Sequence, residues 1–489
     1  MKSNYQKKSV IIFVILLAIS NFSFAQTSAR GSKSSAKIVR RVSQIEERNV
    51  RAEMNFLASD AMHGRGSGTQ FELLAGKYIA SQLQQFGVEP AGETDTSGNK
   101  TYIQTVNITR NSFAVNPTLT YSANGKIVTL EHGKEMLVAR MNTARINGQL
   151  QKMTLDEQPK TGSIVFVKLR ATDDATKVMQ NAQKILASGA AAVIFEEFPM
   201  MRAQWENIAA RKISFTNISS NPAKKVAPSN IIIVGKDAAN ALAQVADGTN
   251  IEIKGQLAEP QTQQTYNAVG KLTGSDSRLA PEVILLSAHM DHLGVRANAP
   301  GADKIYNGAD DDASGCIAVL ELARVLARGQ RPKRTVYFAF FGSEEAGGFG
   351  AQYFVNNLPF PKDSLVANLE FEMIGRPDKK VKPDELWLTG YERSNLGSEF
   401  ARRGAKLVRD PHPEQNFFQR SDNYTLARQG IIAHTVSSFG LHKDYHQPSD
   451  EIKTIDFSHI TRAINSMVAP VRWLVNSNFK PQWNAGQKP

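Results

Sequence analysis

The sequence predicts an α/β fold, a mostly parallel central sheet sandwiched by helices, interrupted by an inserted β-rich domain. Three observations carry this. From Tyr266 onward, short apolar runs alternate with amphipathic stretches at the spacing of strand–helix units. Between about Ser112 and Gly255 that rhythm gives way to closely spaced β-type segments. The acids and histidines of the second half gather at the ends of predicted strands, where open α/β sheets bind ligands.

The chain of 489 residues is long enough for two or three domains, and 41% hydrophobic content supports sizeable cores. Lys2, Lys7 and Lys8 precede the apolar run Val10–Ile19, and Ser23-Phe24-Ala25 ends it in a small-residue pattern. Residues 1–25 therefore read as a secretory signal cleaved after Ala25, with export to the periplasm or medium, and the run is too short for a membrane anchor. Losing three lysines and no acid takes the formal charge from +12 to +9. That charge is scattered, with no basic run carrying interleaved aromatics, so nucleic acid is not an expected partner. Cys316 is the single cysteine, so no internal disulfide is possible, and it reads as a small buried apolar residue.

In chain order, residues 26–42 form a Ser/Ala/Lys/Arg-rich leader. The first part of the α/β unit, 43–110, holds helices near Ser43–Leu57 and Phe71–Phe86, joined by the Gly-rich loop Ala58–Thr69. The insert, 111–262, carries strands near Leu119–Tyr121, Ile127–Leu130, Ile164–Lys168, Ala192–Glu196 and Ile231–Val234, and a helix over Lys177–Ala187. The polar stretch Glu259–Gln264 reads as the return linker. The second part, 263–480, has strands near Val283–Leu286, Thr335–Phe341, Leu365–Phe371, Glu385–Leu388 and Ile431–Val436. Its helices fall near Ala313–Leu326, Gly350–Asn356, Ser394–Arg403, Asn423–Arg428 and Phe457–Ser477.

The polar clusters fall at those strand ends. His289 and Asp291 follow the first strand, and Asp310, Asp311 and Asp312 precede the next helix. Glu344 and Glu345 end the second strand, Glu370 and Glu372 lie two apart on the third, and Asp444-Tyr445-His446 comes late. Unpaired carboxylates are costly to bury without a cation, so together these point to a metal site.

The ordered set AHMDHLG, NGADDDASG, GSEEAGGFGA, ANLEFEMIGR and DYHQPSDE resembles the M28 family of zinc exopeptidases over roughly 45–110 and 265–480. The stretch GSIVFVKLR with AQKILASGAAAVIFEE resembles the protease-associated domain, a recurrent insert in exopeptidases. The first resemblance implies the zinc exopeptidase fold, peptide substrates and two co-catalytic Zn²⁺ ions. Carried over, His289 and Glu372 would hold one zinc, Glu345 and His446 the other, and Asp311 would bridge, with Asp310 and Asp312 as alternatives. Glu344 would be the general base, Tyr445 an oxyanion donor, and Asp291 would orient His289. The family usually has Asp where Glu372 stands, which leaves Glu370 as a second candidate ligand. The expected activity is an exported metallo-aminopeptidase. The alternatives are a carboxypeptidase or dipeptidase favouring acidic substrates, a glutaminyl cyclase, or a metal-free receptor.

Overall fold

The computed structural model describes residues 44–169, 175–218 and 229–489; the expected signal and leader lie outside them. The central sheet runs in the order Gln261–Leu272, Thr335–Phe341, Val283–His289, Leu365–Phe371, Ala433–Ser437, Leu386–Leu388 and Leu407–Arg409. The four middle strands are parallel, and antiparallel pairings flank them at Gln261–Leu272 and Leu386–Leu388. Val283–His289 and Thr335–Phe341 are buried along their whole length, because both faces of the sheet are covered.

Alternation sorts these side chains between two cores. Ile284, Leu286, Val336, Phe338 and Leu369 meet the helices Glu47–Leu57, Gln70–Phe86, Gly315–Arg328 and Phe457–Asn476. Val283, Leu285, Tyr337, Ala339 and Phe341 pack on the other face, with Phe354 of Phe349–Asn356 and Leu426 of Asn423–Ala427. The first strand outruns the Val283–Leu286 expected from its apolar run. Ser287, Ala288 and His289 keep pairing in register with Ala339, Phe340 and Phe341, so His289 is the last residue of the strand.

Residues of the expected insert form two apolar clusters separate from these. Leu119, Ile164, Ile194, Ile232 and Ile251 build one. Val165, Val193, Phe195 and Ile231 pack a second against Val178, Ala182 and Ile185 of the helix Ala175–Ala187. The expected linker at Glu259–Gln264 is a correction: Gln261–Gln264 pair antiparallel with Arg110–Asn107 as part of a twelve-residue strand. Boundaries at 110/111 and 262/263 thus fall inside two continuous strands, Ile103–Ala123 and Gln261–Leu272.

One buried histidine outside the polar cluster sets a pH limit on the fold. His434 is fully buried on the strand Ala433–Ser437, its Nδ1 2.7 Å from the Thr389 carbonyl and its Nε2 2.7 Å from Ser394 Oγ. Nδ1–H donating and Nε2 accepting from the hydroxyl satisfies the neutral ring. Burial, only partly offset by the Thr389 carbonyl, brings its pKa down to about 4. The unfolded chain binds this proton at about 6.5 and the folded chain only near 4. Stability from His434 is therefore full above pH 6.5 and is lost as pH falls toward 4, in total about 3 kcal/mol. Urea unfolding at pH 7 and 4.5 should show that loss in the wild type and a shallower one in His434→Gln; equal slopes would refute it.

Candidate metal centre and active site

The segments that follow the four parallel strands build the site, and buried charges pin them from behind. Buried Arg65, in the Gly-rich loop, donates from Nε to the Met290 carbonyl and from its two Nη atoms to the carbonyls of Leu57, Asn307 and Gly308, at 2.7–2.9 Å. It thereby ties the segment after His289 to the segment before Asp310. Glu72, buried on the helix Gln70–Phe86, accepts from Thr265 Oγ1 and from the amides of Gly68 and Ser343, and holds the turn that presents Glu344. Replacing Arg65 with Met would strand four carbonyls, and leaving buried acceptors unsatisfied costs about 1–3 kcal/mol each. Urea unfolding followed by tryptophan fluorescence should register a loss of that order, and an unchanged midpoint would sink the assignment.

The three consecutive aspartates divide their work. Asp310 accepts from the Gly375 amide at 2.7 Å and lies 2.9 Å from His442 Nε2. Asp312 accepts from the amides of Gly315, Met373 and His289. Asp311 alone of the three faces His289 and His446: Oδ1 is 3.1 Å from His289 Nε2, and Oδ2 is 3.3 Å from His446 Nε2. Glu345 Oε1 lies 3.1 Å from that same His446 nitrogen. Glu372 joins His289 and Asp311 in a group whose ligand atoms lie within 4.8 Å of one another. Its neighbour Glu370 does not; its Oε2 is taken by the Asn423 amide at 2.6 Å and the Thr435 hydroxyl.

Asp291 departs from expectation in its contacts. It stands 3.7 Å from His289 Nδ1, beyond a hydrogen bond, while its oxygens accept from Ser67 Oγ and from the amides of Glu344 and Glu345. Its main task is to hold the Glu344–Glu345 turn. Tyr445 stacks on His446 with ring centroids 3.9 Å apart, and its hydroxyl accepts from Arg420.

Two residues lie inside the motifs without an expected role there, His292 and Arg376. His292, in AHMDHLG, forms a second group with Asp311 and Glu345. Arg376 binds Asp444 at 2.8 Å and Asp450 at 3.3 Å, and approaches Asp310 and His442. It braces the aspartate loop against the loop that carries His446.

The protein's own charges make this a cation-seeking place. Burial, then the carboxylates of Asp422, Glu372 and Glu345, push Glu344 well above the carboxylate range, against the pull of His289. Burial likewise lifts Glu372 to about 8, with Glu370 and Asp311 adding to it. For His446, burial would lower the pKa, but Asp311 and Glu345 outweigh it and bring it up to about 9. Both ring nitrogens of His289 and of His292, and Oε1 of Glu345, are buried without a hydrogen-bond partner. Buried polar atoms are nearly always paired, so the orphaned His289 Nε2, His292 Nδ1 and Glu345 Oε1 gathered around Asp311 fit a divalent cation bound by nitrogen and oxygen.

Residues 267–471 match the model of Peptidase family M28. Among curated proteins, leupeptin-inactivating enzyme 1 of Streptomyces exfoliatus is 34% identical over 212 residues, 40% of this chain and 45% of that protein. Aminopeptidase YwaD of Bacillus subtilis is 24% identical over 438 residues, 87% of this chain and 84% of its own. The chain thus spans less than half the length of the first of these relatives. Among solved structures, BSAP, a zinc aminopeptidase from Bacillus subtilis, superposes with a TM-score of 0.45 at 20% identity, covering 90% of this chain and 97% of that one.

Proposed function

From the match of residues 267–471 to Peptidase family M28, we propose that this protein is an exported zinc metallo-aminopeptidase. His289, Asp311 and Glu372 would hold one Zn²⁺, and Asp311, Glu345 and His446 another. The observation that carries the reading is the two-sided Asp311, whose oxygens face His289 and His446 separately. When bound, such a pair of ions acidifies a water and polarises a carbonyl. The insert would be of the protease-associated type, and residues 1–25 the export signal.

The chain's own residues supply the rest. Glu344, set at the mouth by the Asp291 bonds to its turn, takes the proton of the attacking water and returns it to the leaving amine. Its raised pKa brings it toward the range where a base can both accept and release a proton. Burial and the acids around it keep the Tyr445 hydroxyl protonated, so that it can donate to the developing oxyanion. Tyr445→Phe should lower kcat by about 10²-fold with KM little moved; a kcat within twofold of wild type would remove it from this role.

Amino-end selectivity follows from charge. Glu344, Glu370, Glu372 and Asp422 influence one another's ionisation on one side of the site. A substrate ammonium beside these crowded carboxyl groups would favour their charged forms and be held by them, whereas a terminal carboxylate would find only like charge or desolvated acid, which argues against the carboxypeptidase alternative. The test is zinc content together with hydrolysis of unblocked and N-acetylated aminoacyl anilides. Two zincs per chain and cleavage of the unblocked series alone are expected. A protein that holds no zinc and cleaves neither series would end the reading, and cyclisation of N-terminal glutamine without hydrolysis would replace it.

A further inference from the structure

We propose that His292 is a direct ligand of the second cation, alongside His446, Glu345 and Asp311; this rests on the two-metal reading above. His292 is fully buried and neither ring nitrogen has a hydrogen-bond partner, although Nδ1 stands 2.9 Å from Glu345 Oε1 and 3.8 Å from Asp311 Oδ2. A neutral imidazole so deep in a protein ordinarily donates from one nitrogen and accepts at the other. Here a close nitrogen and oxygen face each other without the alignment a hydrogen bond needs, and Glu345 Oε1 is itself unpartnered. Atoms sharing one metal through bonds of about 2.0–2.2 Å stand roughly 3.3 Å apart in a tetrahedral arrangement. His292 to Glu345 at 2.9 Å, Glu345 to His446 at 3.1 Å and His446 to Asp311 at 3.3 Å lie near that spacing.

The surroundings hold the ring in place. Gly308, at φ +58°, lies against it, and a Cβ there would come within 2.6 Å of His292 Cγ. The His292 amide donates to the Arg65 carbonyl, and the His446 ring meets the His292 ring edge-on at 5.7 Å. The two sides of the centre then differ in kind. One offers two imidazoles and two carboxylates, the other a single imidazole, His289, with two carboxylates. Cations that favour imidazole should fill the His292 side first.

The experiment strips the full-length protein with chelator and titrates it with Co²⁺, following visible absorption and stoichiometry by equilibrium dialysis. Wild type should take two equivalents in two steps. His292→Ala should keep one and bind the other at least about 100-fold more weakly, the upper range found even for residues that act one bond further out. His292→Cys should add a thiolate-to-cobalt charge-transfer band in the near ultraviolet, which the wild type lacks because buried Cys316 stays a thiol. Should the Ala variant fail to fold, the Cys variant decides alone. Two unweakened equivalents in His292→Ala overturn the proposal. So does weakened binding without a thiolate band, which would leave His292 merely orienting Glu345. A wild type that takes up no Co²⁺ sinks the proposed function itself.

Discussion

Glu344→Gln should lose about 10²–10⁴-fold in kcat while keeping its full metal content. The amide retains the shape of the carboxylate and the turn that Asp291 and Glu72 hold, but it cannot accept a proton. Glu344 also belongs to neither group of residues able to hold a cation, so no ligand is lost. Single-turnover rates and metal analysis on the same preparation read both quantities. If metal is lost instead, the roles of Glu344 and Glu345 are exchanged.

Asp311→Asn is expected to be more severe, because Asp311 is the only residue common to both groups. Metal content should fall below one per chain and turnover below detection. Asp310→Asn makes the control: its oxygens serve the Gly375 amide, the Ser314 hydroxyl and His442, so it should cost stability before it costs metal. Two metals retained in Asp311→Asn would exclude it as the shared ligand.

The chemistry of the site was more legible in the sequence than its scaffolding. Strands buried on both faces must be continuously apolar, so polar residues at their ends stand out, and His289, the three aspartates, Glu345 and Glu372 are legible that way, whereas the role expected of His446 rests on the family resemblance. Choosing among the three aspartates needed backbone geometry, because only the amides of Gly375, Met373 and Gly315 reveal that Asp310 and Asp312 are already engaged. Arg65 and Glu72 escaped notice since a lone charge in a loop or on a helix ordinarily faces water. The strand at Gln261–Gln264 was missed for a related reason. Its residues are mostly exposed, so no alternation of apolar side chains betrays backbone pairing with Asn107–Arg110.

That pairing bears on how the molecule could be taken apart. The chain leaves for the insert along Ile103–Ala123 and returns along Gln261–Leu272, and the Ala258 amide donates to the Ser112 carbonyl at 2.8 Å. For the α/β sheet, the stretch between those two residues is the tip of a hairpin, and each doubling of such a tip costs only about 0.6 kcal/mol of closure entropy. A tight turn joining Ser112 to Ala258 would keep the pairing of Asn107–Arg110 with Gln261–Gln264 but remove Ser214–Ile218 from the other edge of Ile108–Ser112, an edge that would need polar residues. The shortened protein could be compared directly with the full chain in metal binding and peptide hydrolysis.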